Sequence, residues 1–463
     1  MTRPPHNTAN AADGLTRSLA FGSLPLEPAA DSRDVRPIIG IRMRLPANRC
    51  LLASLSCLGM HLPSIRIAGQ IHRYLWTALL AILLTSCLGS EKSTSATRYV
   101  STDSAGVQVA VTHWNDPSPA VGWTIGSVPR VTFGETGAEP VDFYEIDDAV
   151  RLSDGRVVVL DRGTKELLYF SRAGELQARA GGAGDGPGEF REPAGLAQFS
   201  GDTIAVYARR SQHLSLFERG GAWLLDRPIE KVDGLLPTRD FRLADVHDGS
   251  LILHNPTSFY VLADMEEGPI NNPNYRFATD GAFEGTVGEP STMWIHPTRV
   301  LFDGARITDA ADGQLYIKDA ARYEIRVYDY DGGLLRIHRL IRPAQPTSEE
   351  DLDRYKAFLR RDIPSADLVE RLIAGVERSR LADSFPAIRQ LYPDVLGNVW
   401  VEEYHPPWST ESSFGVFAAN GPWLGTIAMP ADFRPLQVGA DFVLGVHIDE
   451  LDVQHLVLYD LER

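Results

Sequence analysis

Ala149-Val-Arg-Leu-Ser-Asp-Gly155, Arg156-Val-Val-Val-Leu-Asp161, Leu167-Leu-Tyr-Phe-Ser-Arg-Ala-Gly174 and Glu175-Leu-Gln-Ala-Arg179 follow one another with only short polar breaks. Each run is rich in β-branched or large apolar residues, and each ends on a turn signal. An Asp-Gly pair between apolar runs predicts a tight hairpin, because glycine takes the positive φ that such turns demand. Four short strands joined by such turns form an antiparallel meander, which is the unit of a β-propeller blade.

The unit recurs. Gly201-Asp-Thr-Ile-Ala-Val-Tyr207 pairs with Leu214–Phe217, Asp248-Gly-Ser-Leu-Ile-Leu253 with Tyr275–Gly281, and Asp312-Gly-Gln-Leu-Tyr-Ile-Lys-Asp319 with Ile325–Gly332. Leu396-Gly-Asn-Val-Trp-Val401 pairs with Phe414–Gly421, and Gly439-Ala-Asp-Phe-Val-Leu444 with His455–Tyr459. The turn glycines stand at 155, 201, 249, 313, 397 and 439. Two of the intervals are long, and each has a visible cause: a Pro/Asn-rich excursion at 256–272 and a helical stretch at 347–382. In the latter, Ser348 opens a helix with Leu352, Tyr355 and Leu359 on one face. Ser365 caps a second helix carrying Leu368, Leu372 and Val376. The expectation is an all-β, six-bladed propeller over 99–463 with a small helical insertion between blades four and five. The last blade lacks a strand, and Val107–Val111 and Arg130–Phe133 are available to supply it; the second of these is expected to close the ring.

Gly181-Gly-Ala-Gly-Asp-Gly-Pro-Gly-Glu-Phe190, followed by Glu192-Pro193, resembles the blade-to-blade link of NHL-like six-bladed propellers. Phe133–Glu139 and Val287-Gly-Glu-Pro290 look like decayed copies. The run is not a phosphate loop, since prolines and a strand follow it instead of a helix with Lys-Ser/Thr. The resemblance covers about residues 98–463 and is strongest to bacterial lipoproteins of this fold. It implies architecture only: the wider fold includes interaction modules, lyases and calcium-dependent lactonases.

Upstream, Arg73 precedes the apolar run Tyr74–Leu84 and then Thr85-Ser86-Cys87. A basic residue, a short apolar core and small residues describe a secretory signal peptide, too short to span a bilayer. Leu84-Thr-Ser-Cys87 resembles the bacterial lipobox, which implies a lipid on the Cys87 thiol and cleavage before it. Residues 60–86 are therefore read as the signal peptide and 87–98 as a flexible tether. Residues 1–59 read as an over-extended start, with Met60 or Met43 as the true first residue. The expected location is outside the cytoplasm, anchored to a membrane through Cys87.

The chain carries 45 basic and 61 acidic residues, a net charge of -16. That surface repels nucleic-acid phosphates, so no nucleic-acid partner is expected. All three cysteines, Cys50, Cys57 and Cys87, precede the propeller. Disulfides, cysteine metal sites and a cysteine nucleophile are therefore excluded from it. No His-Glu-x-x-His or Gly-x-Ser-x-Gly is present.

Propeller ligands sit at the mouth of the central channel. Counting seven residues back from each turn glycine picks out Asp148, Ala194, Arg242 and Arg306, and with one slip Arg389 or Gln390. Asp245 and Asp309 follow two of these by three residues, an offset that on a regular strand puts the pair on opposite faces. This charged ring either binds a polar or anionic ligand or ties blades together by ion pairs. Asp147, Asp148, Asp245 and Asp309 are the candidate calcium ligands, calcium being the one cofactor the sequence leaves open. A second candidate is the loop Glu402-Glu-Tyr-His-Pro-Pro-Trp408, whose Glu403, Tyr404, His405 and Trp408 suit a sugar or peptide. Asp161 and Asp319 are read as turn formers. The expected function is a non-catalytic, monomeric binding module for a small molecule, glycan or protein. The alternative is a calcium-dependent hydrolase, lactonase or lyase working at the channel mouth.

Overall fold

The computed structural model describes residues 99–463 except 115–117, 138–139, 232–240, 255–267, 296–299, 303–307 and 319–321. These residues form a six-bladed β-propeller. Blade one is Ile146–Arg151, Val157–Asp161, Glu166–Phe170 and Leu176–Gly181, each strand antiparallel to the next. The innermost strands of blades two to six are Pro193–Phe199, Arg242–His247, Thr308–Ala311, Ile388–Pro393 and Phe433–Val438.

The second strand of blade one shows why these sequences make blades. Val157 and Val159 point into a cluster shared with Phe442, Leu444 and Leu456 of blade six. Val158 and Leu160 point the other way, into a cluster with Ile204, Val206 and Phe217 of blade two. All four are fully buried. A strand buried on both faces has no polar alternation, so the run reads as continuous Val and Leu. Clusters of the same kind fill the seams between blades two and three, three and four, four and five, and five and six. Each fully buried side chain contributes about 1.5–3 kcal/mol.

The ring closes as the sequence predicts. Val131 and Thr132 pair with Leu458 and Val457 on the third strand of blade six, and Thr124–Ile125 pairs further along it. The other strand on offer goes elsewhere. Val107–His113 runs parallel to Leu334–Ile341 and, with Tyr99–Ser104, extends blade four to six strands. It is held there by contact with blade five, where Trp423 donates its backbone N–H to Thr112 Oγ1 at 3.1 Å.

Helix α1 (Glu349–Asp362) and helix α2 (Ala366–Glu377) form the insertion between blades four and five. Ser348 donates both its N–H and its hydroxyl to the Asp351 carboxylate, and Ser365 accepts from Leu368 N–H. Leu359, Val369, Ile373 and Val376 form the helical core against Leu301. The second helix is therefore rotated from the expected face: Leu368 is exposed, and Val369 and Ile373 take the buried positions with Val376. Among the described residues, no helix is long and apolar enough to cross a membrane.

Three local expectations need correction. Residues 268–272, read as part of the excursion, belong to a long hairpin, Gly268–Ala278 with Phe283–Ile295; 256–267 fall outside the described residues. Val287–Pro290 lies within that hairpin and is not a blade link. Gly439 lacks the positive φ of the five other turn glycines; a Cβ there would fall inside the Phe442 ring.

Candidate functional site

The inner strands surround a channel of about 1400 Å³. Its charged centre is built from three blades. Arg242, on blade three, lays its guanidinium fork on Asp147 of blade one, with Nη1 and Nη2 donating at 2.7 and 2.9 Å. The blade between them makes room. Gly195 sits at φ +91° where a Cβ would land on the Leu243 carbonyl oxygen. Its own N–H donates to Asp147 at 3.1 Å, and Leu196 N–H donates to Asp148 at 3.2 Å.

Asp245 and Asp309 line the same channel. The expected opposite facing of Arg242 and Asp245 is overturned by a β-bulge between Leu243 and Asp245. Arg242 pairs with His254 and Asp245 with Ile252, so one inserted residue, Ala244, returns both side chains to one face. Similar irregularities interrupt the inner-strand ladders of blades one, two, five and six. Hairpin length spoils the count from the glycines as well. Arg151 pairs with Val157 across five residues, whereas His247 pairs with Ser250 across two. Asp148 and Arg242 are therefore not in register, although both line the channel.

Few donors serve these carboxyl groups. Asp309 accepts from Ala310 N–H at 2.8 Å, and Asp148 from Ala149 N–H at 2.9 Å and from Leu196. Asp245 accepts from Tyr330 Oη at 2.5 Å and Gly313 N–H at 3.4 Å. Burial pushes Asp309 up to about 8, with Asp148 and Asp245 adding to the rise and Arg242 opposing it. Burial likewise pushes Asp148 up to about 6 against the pull of Arg242. Asp245 is raised by burial, offset in part by Tyr330. His254, also on the channel wall, is pulled down to about 3 by burial and by Arg242. At neutral pH this part of the wall thus presents a protonated Asp309 and a neutral His254, with the Arg242 guanidinium tied to Asp147. Among the described residues, no three His, Cys, Asp or Glu side chains converge as metal ligands, and the four candidate aspartates are no exception.

Arg389 also lines the channel and reaches Glu402 at 3.0 Å. Arg306 lies outside the described residues, as do Cys87 and Asp319. Asp161 is a turn former: its buried carboxylate accepts from the backbone of Tyr144, Glu145, Gly163 and Thr164. The loop candidates divide. Glu403, Tyr404 and His405 line a separate cleft of about 510 Å³. Trp408 packs edge-on against Phe302 and Phe385 beside Tyr355, as part of the insertion's aromatic core. Arg434, which also lines the channel and donates to Ile146 O at 3.0 Å, escaped the sequence count because it stands five residues before Gly439.

No family model and no curated protein matches the chain. Solved structures do. A Bacteroides fragilis protein described as exported is 11% identical with a TM-score of 0.44, covering 76% of this chain and 99% of its own. A DUF4221 family member from Bacteroides vulgatus is 10% identical with a TM-score of 0.46, covering 73% and 98%. A gluconolactonase from Xanthomonas campestris is 11% identical with a TM-score of 0.38, covering 74% and 99%. The likeness is one of fold. The chemistry of this chain has to be read from its own residues.

Proposed function

We propose that the protein is a membrane-tethered, extracytoplasmic propeller that binds a polar small molecule, glycan or protein segment in its channel and does no chemistry on it. The observation that carries this reading is the pair Asp148 and Asp309. Both are held in the channel wall with backbone N–H donors as their hydrogen-bond partners. Keeping carboxyl groups in a desolvated wall costs stability, and such costs concentrate at functional sites. The Arg242–Asp147 pair orders the wall and does not itself offer a free cation. Mixed Arg and Asp without a converging ligand set suits recognition better than calcium chemistry. Tethering rests on Leu84–Cys87.

The test has two arms. Elemental analysis of the purified protein is expected to find no stoichiometric calcium. A thermal-shift screen of sugars, amines and peptides is expected to yield hits that Asp309→Asn or Arg242→Ala weakens at least tenfold. Bound calcium at one per chain, or hits indifferent to both substitutions, would overturn the reading.

A further inference from the structure

The cleft of about 510 Å³ beside blades four and five is built by parts that the six-fold repeat does not require. The extra strand Val107–His113 delivers Trp114, whose N–H donates to Ile341 O at 2.7 Å. The helical insertion frames the cleft where the chain leaves, at Gln345, and where it returns, at Phe385 and Pro386. Phe385 N–H donates to Gln345 O at 2.9 Å, which ties the two crossings together. The long loop between the second and third strands of blade five contributes Tyr404 and His405. Three additions to the scaffold thus meet at one concavity of small-molecule size, and binding residues concentrate on such additions.

The lining holds charge, but none of it is on offer. Glu403 accepts from Arg342 Nη1 at 2.9 Å, Tyr323 Oη at 3.3 Å and Ser413 Oγ at 3.2 Å. Arg342 Nη2 also donates to Ala387 O at 3.4 Å. Arg339 donates to the buried Glu324 at 2.8 Å, and Arg322 is engaged as well. His405 has Nε2 at 2.8 Å from Ser413 Oγ and Nδ1 at 3.7 Å from Glu411. A charged ligand would lose hydration here without meeting an unspent counter-charge.

What remains unspent is neutral. The Trp114 indole N–H, the Tyr404 hydroxyl and the Gln345 carboxamide line the cleft and make no hydrogen bond to the described residues. Together they can donate and accept, which is what hydroxyl groups require of their partners. The rings beside them are fixed in advance. Tyr404 stacks on Phe385 with ring centres 6.0 Å apart. Trp114 packs on the seam between blades four and five and lies 5.5 Å from the Arg342 guanidinium. An apolar ring with a polar tip matches the C–H face and hydroxyl edge of a pyranose.

We infer that this cleft binds a neutral mono- or disaccharide, at a site distinct from the channel.

Titration calorimetry on the full chain tests the inference with maltose, cellobiose, lactose and diacetylchitobiose, against glucuronate and glucosamine as charged controls. At least one neutral sugar is expected to bind one per chain, tenfold or more tighter than either control, with affinity indifferent to salt. Trp114→Ala should abolish that binding. Because Trp114 also packs on the seam, Tyr404→Phe and Gln345→Ala are included, and at least one should weaken binding threefold or more in a folded protein. Asp309→Asn, in the channel, should leave it unchanged, which separates the two sites. Four results would each overturn the inference. These are silence from every neutral sugar, equal or tighter binding of a charged control, binding indifferent to both Tyr404→Phe and Gln345→Ala, and loss of binding on Asp309→Asn. Survival of binding in a folded Trp114→Ala variant, or marked weakening by salt, overturns it too.

Discussion

Arg463 donates to the carboxylate of Asp394 at 2.7 Å, and that carboxylate is fully buried beneath the hairpin of blade five. The same guanidinium lies 4.5 Å from the Trp123 ring centre and donates to the backbone of Gly439 and Ala440. One side chain therefore joins blade five, blade six and the N-terminal segment that closes the ring.

Removing that side chain strands Asp394. Its remaining donors are Asn398, Trp400 Nε1 and the hairpin amides, none of them charged. Breaking a buried ion pair on one side costs about 3–5 kcal/mol. Arg463→Ala is expected to lower unfolding stability by about 3 kcal/mol, and Arg463→Lys by less. Urea denaturation followed by tryptophan fluorescence, with Trp123 and Trp400 both at the site, measures it.

Stability should depend on pH through Asp309. Its pKa lies near 8 in the fold, above the ordinary carboxyl range, so the folded state holds its proton more tightly than the unfolded chain. The stabilisation is complete below about pH 4 and fades as pH rises through 8. Asp148, raised to about 6, acts with the same sign over a narrower window. Asp309→Asn should therefore gain several kcal/mol, up to about 5, over wild type at pH 8.5 and nothing at pH 4. Thermal melts across that range decide the matter; a constant difference at every pH would refute the assignment.

Two glycines with positive φ should respond unequally to alanine. Gly201 has φ +74° and open space around the missing Cβ, so Gly201→Ala should cost about 1 kcal/mol, from backbone strain alone. Gly195 has φ +91° and the Leu243 backbone directly against it. Gly195→Ala must push blades two and three apart and should cost well over 2 kcal/mol. It should also loosen the Asp147–Arg242 contact that passes beside it. Denaturant midpoints of the two variants provide the comparison.

Cys87→Ser should release the protein from membranes. Two or three acyl chains contribute about 0.8 kcal/mol per buried methylene, enough to hold a folded domain on a bilayer. The variant is expected in the soluble fraction at unchanged fold, whereas wild type sediments with membranes. Equal partition of the two would remove the lipid anchor.

Much of the architecture was legible because its causes are local. Asp-Gly turns and doubly buried Val and Leu runs carry their own signal, as in Val157–Leu160, and both helix caps, Ser348 and Ser365, were visible as residue types. The site was legible only in part. Counting from the turn glycine found Asp148, Arg242 and Arg389 but could not register them, since hairpin length and bulges vary from blade to blade. The loop at 402–408 looked like one site and is two environments, because Trp408 is claimed by the insertion's aromatic core.

By itself, the amino-acid order determined the number of blades, the identity of the closing strand and the place of the helical insertion. Turn chemistry and hydrophobic period act over a few residues, so they survive translation into one dimension. Only the tertiary structure decided that Arg242 meets Asp147 past Gly195, and that Glu403 is spent on Arg342, Tyr323 and Ser413. Those contacts join residues far apart in the chain, and their partners are chosen by how blades stack, which no local pattern encodes.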